Sequence, residues 1–211
     1  MNLIISYPHS GDFWVRYMVE YTTKQPTTGP NPEDKPIGEL SPINVDLSRD
    51  VILESTRSTA KEQLKTIFLV RNYRDIFVRR TFEKVGDEDF LEKTYFEEEY
   101  DKYISIIQYY EKWDTDKRLL VYYEDLLNNS YEEIGRIFEF LDIDTKDSNE
   151  FMYNYERHFR CMLDIYSRTF PGGELTVFPG AVSKVIQSYM DDIMIYNSPI
   201  LFGKYLSRYI A

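Results

Sequence analysis

The chain opens with a strand–turn–helix signal that constrains its fold more than any other feature. Leu3-Ile4-Ile5 is a short apolar run, and Tyr7-Pro8-His9-Ser10-Gly11 has the composition of a turn. Roughly Asp12 to Thr23 then continues as a helix with Phe13, Tyr17 and Met18 on one side. The pattern recurs downstream. Val51-Ile52-Leu53 reads as a second strand and Thr66 to Val70 as a third, followed by a turn at Arg71-Asn72-Tyr73-Arg74-Asp75 and a helix to about Glu83. Phe90 to Trp113 carries apolar residues at the three-and-four spacing of a long amphipathic helix, its Tyr/Phe stripe suited to core packing. Leu119 to Tyr122 is a fourth strand, and Ser130-Tyr131-Glu132-Glu133 resembles a capping box opening a helix to about Leu141. Further helices fall around Phe151–Leu163 and Val182–Met194, split by a Pro/Gly segment from Phe170 to Gly180. Strands alternating with helices predict an α/β fold of three layers, a central parallel sheet flanked by helices on both faces.

A length of 211 residues suits one domain, with residues 146–211 mainly helical. Residues 25–45 are rich in Pro, Gly, Thr and Asn and read as a long loop, suited to a lid or a substrate wall. The formal charge of −11 opposes a polyanion, so nucleic-acid binding is not expected, though a local cationic pocket for a small anion is compatible with it. One cysteine, Cys161, excludes an internal disulfide framework, and with only His9 and His158 a His/Cys metal site is not expected. The apolar runs are too short for a membrane span, and Met1-Asn2-Leu3-Ile4-Ile5-Ser6 has no basic n-region or long apolar core. The expectation is a cytoplasmic chain.

In such sheets ligands bind outside the carboxyl ends of the strands, where helix N-termini converge. The turn from Tyr7 to Trp14 lies there, and the amides of Ser10, Gly11, Asp12 and Phe13 would face the crevice as a site for a phosphate-like anion. An ordinary strand-to-helix turn has the same composition, and the G-x-x-x-x-G-K-(S/T) pattern is absent. Arg71 stands where the third strand stops, placed for forked contacts with a phosphate, with Arg74, Arg79 and Arg80 following. For Arg80 a solvated helix face is the reading. Tyr123, closing the fourth strand, could pack on a planar base, while Glu124 and Asp125 could cap a turn or bind an arginine. His158, between charged neighbours, reads as part of a solvated face.

Together these segments resemble a cytosolic-type sulfotransferase, the family that uses 3′-phosphoadenosine-5′-phosphosulfate (PAPS). Ile5 to Trp14 is similar to its 5′-phosphosulfate loop, (S/T)-Y-P-(K/R)-S-G-(T/N)-x-W. Ile67 to Asp75 resembles its 3′-phosphate strand, (I/V)-x-x-V-R-N-P-R-D, and Leu120 to Leu126 with Ser130 to Ile143 its Y-E-D-L segment and following helix. The resemblance runs from residue 1 to about 145. It implies a P-loop-like nucleotide-binding fold and sulfuryl transfer from PAPS to a hydroxyl or amine of a small-molecule or glycan acceptor, with no metal. It implies further that His9, Ser10, Gly11, Asp12 and Phe13 hold the phosphosulfate, Trp14 stacks on adenine, Arg71 and Arg79 bind the 3′-phosphate, and Tyr123 lies near the base.

The departures define the alternatives. The loop's usual Lys or Arg is His9, a side chain able to donate to the bridging oxygen or simply to bond a loop carbonyl. Asp12 puts a carboxylate where the family has Thr or Asn. The family's K-T-H segment falls on Glu54-Ser55-Thr56, making Glu54 the candidate base beside His9, and Arg168 with Gly172-Gly173 faintly echoes the family's last phosphate loop. A catalytically degenerate nucleotide-binding module and a P-loop kinase-type phosphotransferase are the rival readings.

Overall fold

The structure is a computed structural model, and it describes residues 1–31, 34–41, 43–57, 64–85, 93–144, 148–169 and 184–210. Strands β1 (Asn2–Ser6), β2 (Thr27–Thr28), β3 (Leu53–Thr56), β4 (Thr66–Val70) and β5 (Arg118–Tyr122) form one parallel sheet. Their order is β2-β3-β1-β4-β5. From β1 the chain moves out to β2 and β3, then crosses back to β4 and β5 on the other side. The loops leaving β1 and β4 therefore diverge, and a crevice opens between their carboxyl ends.

The helices are α1 (Asp12–Thr23), α2 (Ile37–Leu40), α3 (Tyr73–Val85), α4 (Lys93–Lys112), α5 (Tyr123–Asn128), α6 (Ser130–Phe140), α7 (Ser148–Tyr153), α8 (Tyr155–Thr169) and α9 (Lys184–Asn197). Short helical turns follow from Pro199 to Tyr209. The sheet separates two apolar clusters, giving the three layers expected. Alternation along the strands sends Ile5, Phe68 and Val70 into one cluster with α3, α4 and α9, and Ile4, Ile67 and Leu69 into the other with α1, α6, α7 and α8. All five residues of β4 are buried, which is why its sequence is a continuous apolar run. The stripe on α4 packs as core through Phe96, Tyr100, Tyr103 and Ile107.

Several local expectations are corrected. The second expected strand, Val51-Ile52-Leu53, begins only at Leu53 and runs through Glu54, Ser55 and Thr56, because Asn2 to Ile5 pair with those residues in register. The loop of residues 25–45 contains β2 and α2. Ser130 does not cap α6: the flanking residue is Asn129, and Glu133 instead binds Arg136 at 2.6 Å. At α3 a cap is formed by Asn72, whose Oδ1 accepts the Arg74 N–H at 3.0 Å. His158 is buried, 8% exposed, with its ring stacked on Phe151 and its Nδ1 3.1 Å from the Tyr17 hydroxyl. It sits in register with Met162 and Ile165 on the inner face of α8. Phe90, Leu91 and the segment from Phe170 to Gly180 lie outside the described residues.

The C-terminal helices close one face by polar ties. Asp191 accepts two bonds from Arg74, at 2.8 and 2.7 Å, and one from the Tyr73 hydroxyl at 2.7 Å. Glu124 accepts the Asn72 N–H at 2.8 Å and the Tyr209 hydroxyl at 2.9 Å, and Asp125 pairs with Arg208. Among the described residues no helix is long and apolar enough to cross a membrane.

Candidate functional site

At the carboxyl ends of the strands, around the turn after β1, lies a cavity of about 380 Å³. Its floor is the turn after β1. His9 (φ 65°) and Gly11 (φ 96°) both adopt the left-handed conformation, which costs an ordinary side chain energy and bends the chain sharply into α1. A Cβ on Gly11 would come within 2.7 Å of Tyr123 Cε2 and closer still to Cδ2, so glycine is required there twice over. Gly11, Asp12 and Phe13 line the cavity at the start of α1, where first-turn amides have no partner within the helix. The Ser10 amide does not join them: it donates to Tyr7 O at 3.1 Å, correcting the expectation for that group. The Ser10 side chain is fully buried, and its Oγ has no hydrogen-bond partner among the described residues.

Arg71 enters from the end of β4. Its guanidinium is 2% exposed, donates from Nη1 to the His9 carbonyl at 3.0 Å, and lies 4.5 Å above the Tyr123 ring. Tyr103 fixes the backbone behind it by donating to Arg71 O at 2.7 Å. Arg71 Nε is buried with no protein partner among the described residues. Arg79, 6% exposed, adds its charge nearby. Burial raises the Tyr123 phenol against the opposing pull of Arg71 and Arg79, and raises the Asp75 carboxyl against Arg71, Arg79 and Arg74. Two buried guanidiniums therefore stand behind Tyr123, outside the cavity lining itself, with one partly buried acid, Asp75, 3.8 Å from Arg71. Such an arrangement favours an anion.

Asp12 lines the cavity, but its Oδ2 accepts a 2.7 Å bond from Ser55 Oγ on β3, which draws the carboxylate to one side. His9 also lines the wall, its Nδ1 3.4 Å from the Tyr166 hydroxyl. Trp14 reaches the cavity but is 1% exposed, with the rings of Tyr17, Phe151, Tyr155 and Phe159 centred 5.3–5.7 Å away. Glu54 is not brought to the cavity. It pairs with Leu3, roughly 10 Å short of the carboxyl edge at Ser6. Alternation also turns it away from the α1 face that Leu53 and Ser55 share. Arg80, expected on a solvated face, lines the cavity. Arg168 is exposed and paired with Asp164 at 2.9 Å, and Gly172-Gly173 lie outside the described residues.

The remaining wall combines part of the loop of residues 25–45, expected as a lid or a substrate wall, with residues that the sequence did not mark. Arg57 follows β3 directly, Met162 and Tyr166 come from α8, and Pro30, Asn31 and Asp34 come from the loop after β2. That loop is fastened to α1. Glu20, fully buried, accepts from Thr27 N at 2.9 Å, Thr27 Oγ1 at 2.5 Å, Ile37 N at 3.0 Å and Gly38 N at 2.7 Å. Arg16 adds bonds to Thr27 Oγ1 and Lys35 O at 2.9 and 2.8 Å. Of the two roles expected for residues 25–45, a wall fits these bonds better than a lid. Among the described residues no group of three His, Cys, Asp or Glu is placed to hold a metal.

Comparison with known proteins adds three findings. The family described as the sulfotransferase domain matches residues 47–164. The fold is similar to that of mouse sulfotransferase SULT7A1 complexed with PAP, with a TM-score of 0.58 and 17% identity, over 100% of this chain and 88% of that one. No curated protein matches the chain.

Proposed function

Since the chain belongs to the sulfotransferase domain family, we propose that this sulfotransferase takes PAPS into the crevice between β1 and β4 and passes its sulfuryl group to a hydroxyl or amine of a small-molecule or glycan acceptor. The observation that carries this reading is the junction of the two strand ends. Arg71 and the turn at His9 are locked together, while Ser10 Oγ and Arg71 Nε are buried without partners among the described residues. A buried donor left unpaired costs about 1–3 kcal/mol, and a bound phosphate would relieve it.

The first-turn amides at Gly11 and Asp12 and the Ser10 hydroxyl suit the 5′-phosphosulfate, and Arg71 with Arg79 suits the 3′-phosphate. Tyr123, held between Arg71 and Gly11, offers the base a ring edge. Trp14 contributes more to the aromatic core than to an open stacking surface. PAPS, when bound, supplies the sulfuryl group: the bond from sulfur to the bridging phosphate oxygen breaks, the electron pair stays on the phosphate, and sulfur joins the acceptor's oxygen or nitrogen as its proton leaves. His9 serves the leaving side. In the tautomer whose Nδ1 accepts from the Tyr166 hydroxyl, the proton sits on Nε2, ready to donate to the bridging oxygen. Asp12 lines the cavity where Glu54 does not, and its carboxylate is the group to take the acceptor's proton. The Ser55 bond steers that carboxylate away from the phosphosulfate.

Family membership favours this reading over the kinase-type phosphotransferase and over a catalytically degenerate module. A cytoplasmic location belongs to the same proposal, supported by the resemblance to the cytosolic type of the family. The test is calorimetry with 3′,5′-adenosine bisphosphate (PAP). Saturable binding without magnesium is expected. Absence of binding, or magnesium-dependent binding of ATP instead, would reject the proposal.

A further inference from the structure

Transfer of a sulfuryl group moves negative charge onto the bridging oxygen, and the electrostatic demand is met best by fixed cations close to the sulfuryl oxygens. The turn after β1 supplies amides and an imidazole but no cation of its own. In the sheet β1 lies between β3 and β4. The residue directly after each neighbouring strand is an arginine, Arg71 after β4 and Arg57 after β3. The two guanidiniums thus approach the same turn from opposite sides. Arg71 is buried beneath it, on the nucleotide side. Arg57 is exposed at the cavity's mouth, in the wall that holds His9, Gly11 and Asp12.

Arg57 lies within electrostatic reach of Asp12, Arg80, Asp34 and Tyr166. The two carboxylates share the cavity lining with Arg57 and attract its charge, and Arg80 opposes it as a like charge, a repulsion that an anion between the two would turn into attraction. We propose that Arg57 binds the sulfuryl oxygens of the donor, supplying from β3 the positive charge that the β1 turn lacks. This rests on the reading of the crevice as a PAPS site. It gives Arg57 a role separate from that of Arg71: Arg71 recognises what donor and product share, and Arg57 recognises the group that is transferred.

The experiment needs no acceptor. Dissociation constants for PAPS and for PAP are measured by calorimetry at low temperature on the native protein, Arg57→Gln and Arg57→Lys. Arg57→Gln is expected to weaken PAPS about tenfold or more, the loss of a charged hydrogen bond, while PAP affinity stays within about twofold. Arg57→Lys should restore part of the loss, a point charge replacing a fork. Unchanged PAP binding also shows that the variant is folded. Equal weakening of PAPS and PAP, or no weakening of either, would overturn the role of Arg57. Failure of the native protein to bind PAP would instead remove the reading beneath it.

Discussion

Arg71 Nη1 and the carbonyl oxygen of His9 lie 3.0 Å apart, so the end of β4 is bonded to the turn that follows β1. One side chain therefore shapes the turn, pairs with Asp75 at 3.8 Å and keeps a buried Nε with no partner among the described residues, the group proposed to meet a phosphate. Arg71→Ala is expected to weaken PAP binding by about 1.5–3 kcal/mol, the worth of a charge-assisted bond. Arg71→Lys is expected to recover little, because an ammonium can neither fork nor stack flat over Tyr123. Calorimetric titration of both variants checks this, and full recovery by lysine would contradict the forked role.

Gly11 answers to two constraints at once. Gly11→Ala is expected to lower stability by about 1–2 kcal/mol through its left-handed backbone alone, with the Tyr123 contact adding to that. Adding Tyr123→Ala should relieve the contact and leave the backbone cost, so a double-mutant cycle in thermal unfolding separates the two. Simple additivity would show that the ring does not confine the glycine.

Glu20 links α1 to the cavity wall through four accepted bonds. Glu20→Gln turns one accepting oxygen into an NH2 group that faces a backbone donor. The expected loss is about 1–3 kcal/mol, or roughly 2–12 °C in Tm for a chain of this size. Protease cleavage between residues 25 and 45 should quicken in the variant. Native-like cleavage with native Tm would show that the wall is held by other means.

His158 sets an acid limit. Burial lowers its imidazole below the usual 6.5, with Arg157 and Lys24 acting in the same direction and Glu150 against it. As pH falls the unfolded chain binds the proton first. Stability from this group is therefore complete above about pH 6.5 and is lost as pH falls through the folded value. Urea midpoints measured from pH 8 to pH 5 should fall more steeply for the native protein than for His158→Phe. Parallel curves would refute the assignment.

Much of this was legible from the residues. The apolar runs of β1 and β4 and the helix after each define the sheet, and the crevice between them follows from the carboxyl-end rule. β3 was harder to see, because its own residues are Leu53-Glu54-Ser55-Thr56 while the apolar Val51-Ile52 stand before it. Pairing with β1, a long-range effect, decides that register. Ending the strand too early placed Glu54 near the edge and left Arg57 unnoticed. His158 was masked by its charged neighbours Glu156 and Arg157, though its spacing to Met162 and Ile165 already traced the inner stripe of α8. Tyr166 and Met162 reach the cavity only through tertiary packing, and nothing in their local sequence marks them.

The anchoring of the cavity wall by Glu20 sets terms for redesign. Thr27, Ile37 and Gly38 are the moorings, while Pro30, Asn31 and Asp34 hang between them and face the space an acceptor would enter. A library that randomises only the suspended positions can search for new acceptor preferences without unseating the scaffold, whereas grafting a foreign segment without those three moorings would forfeit both.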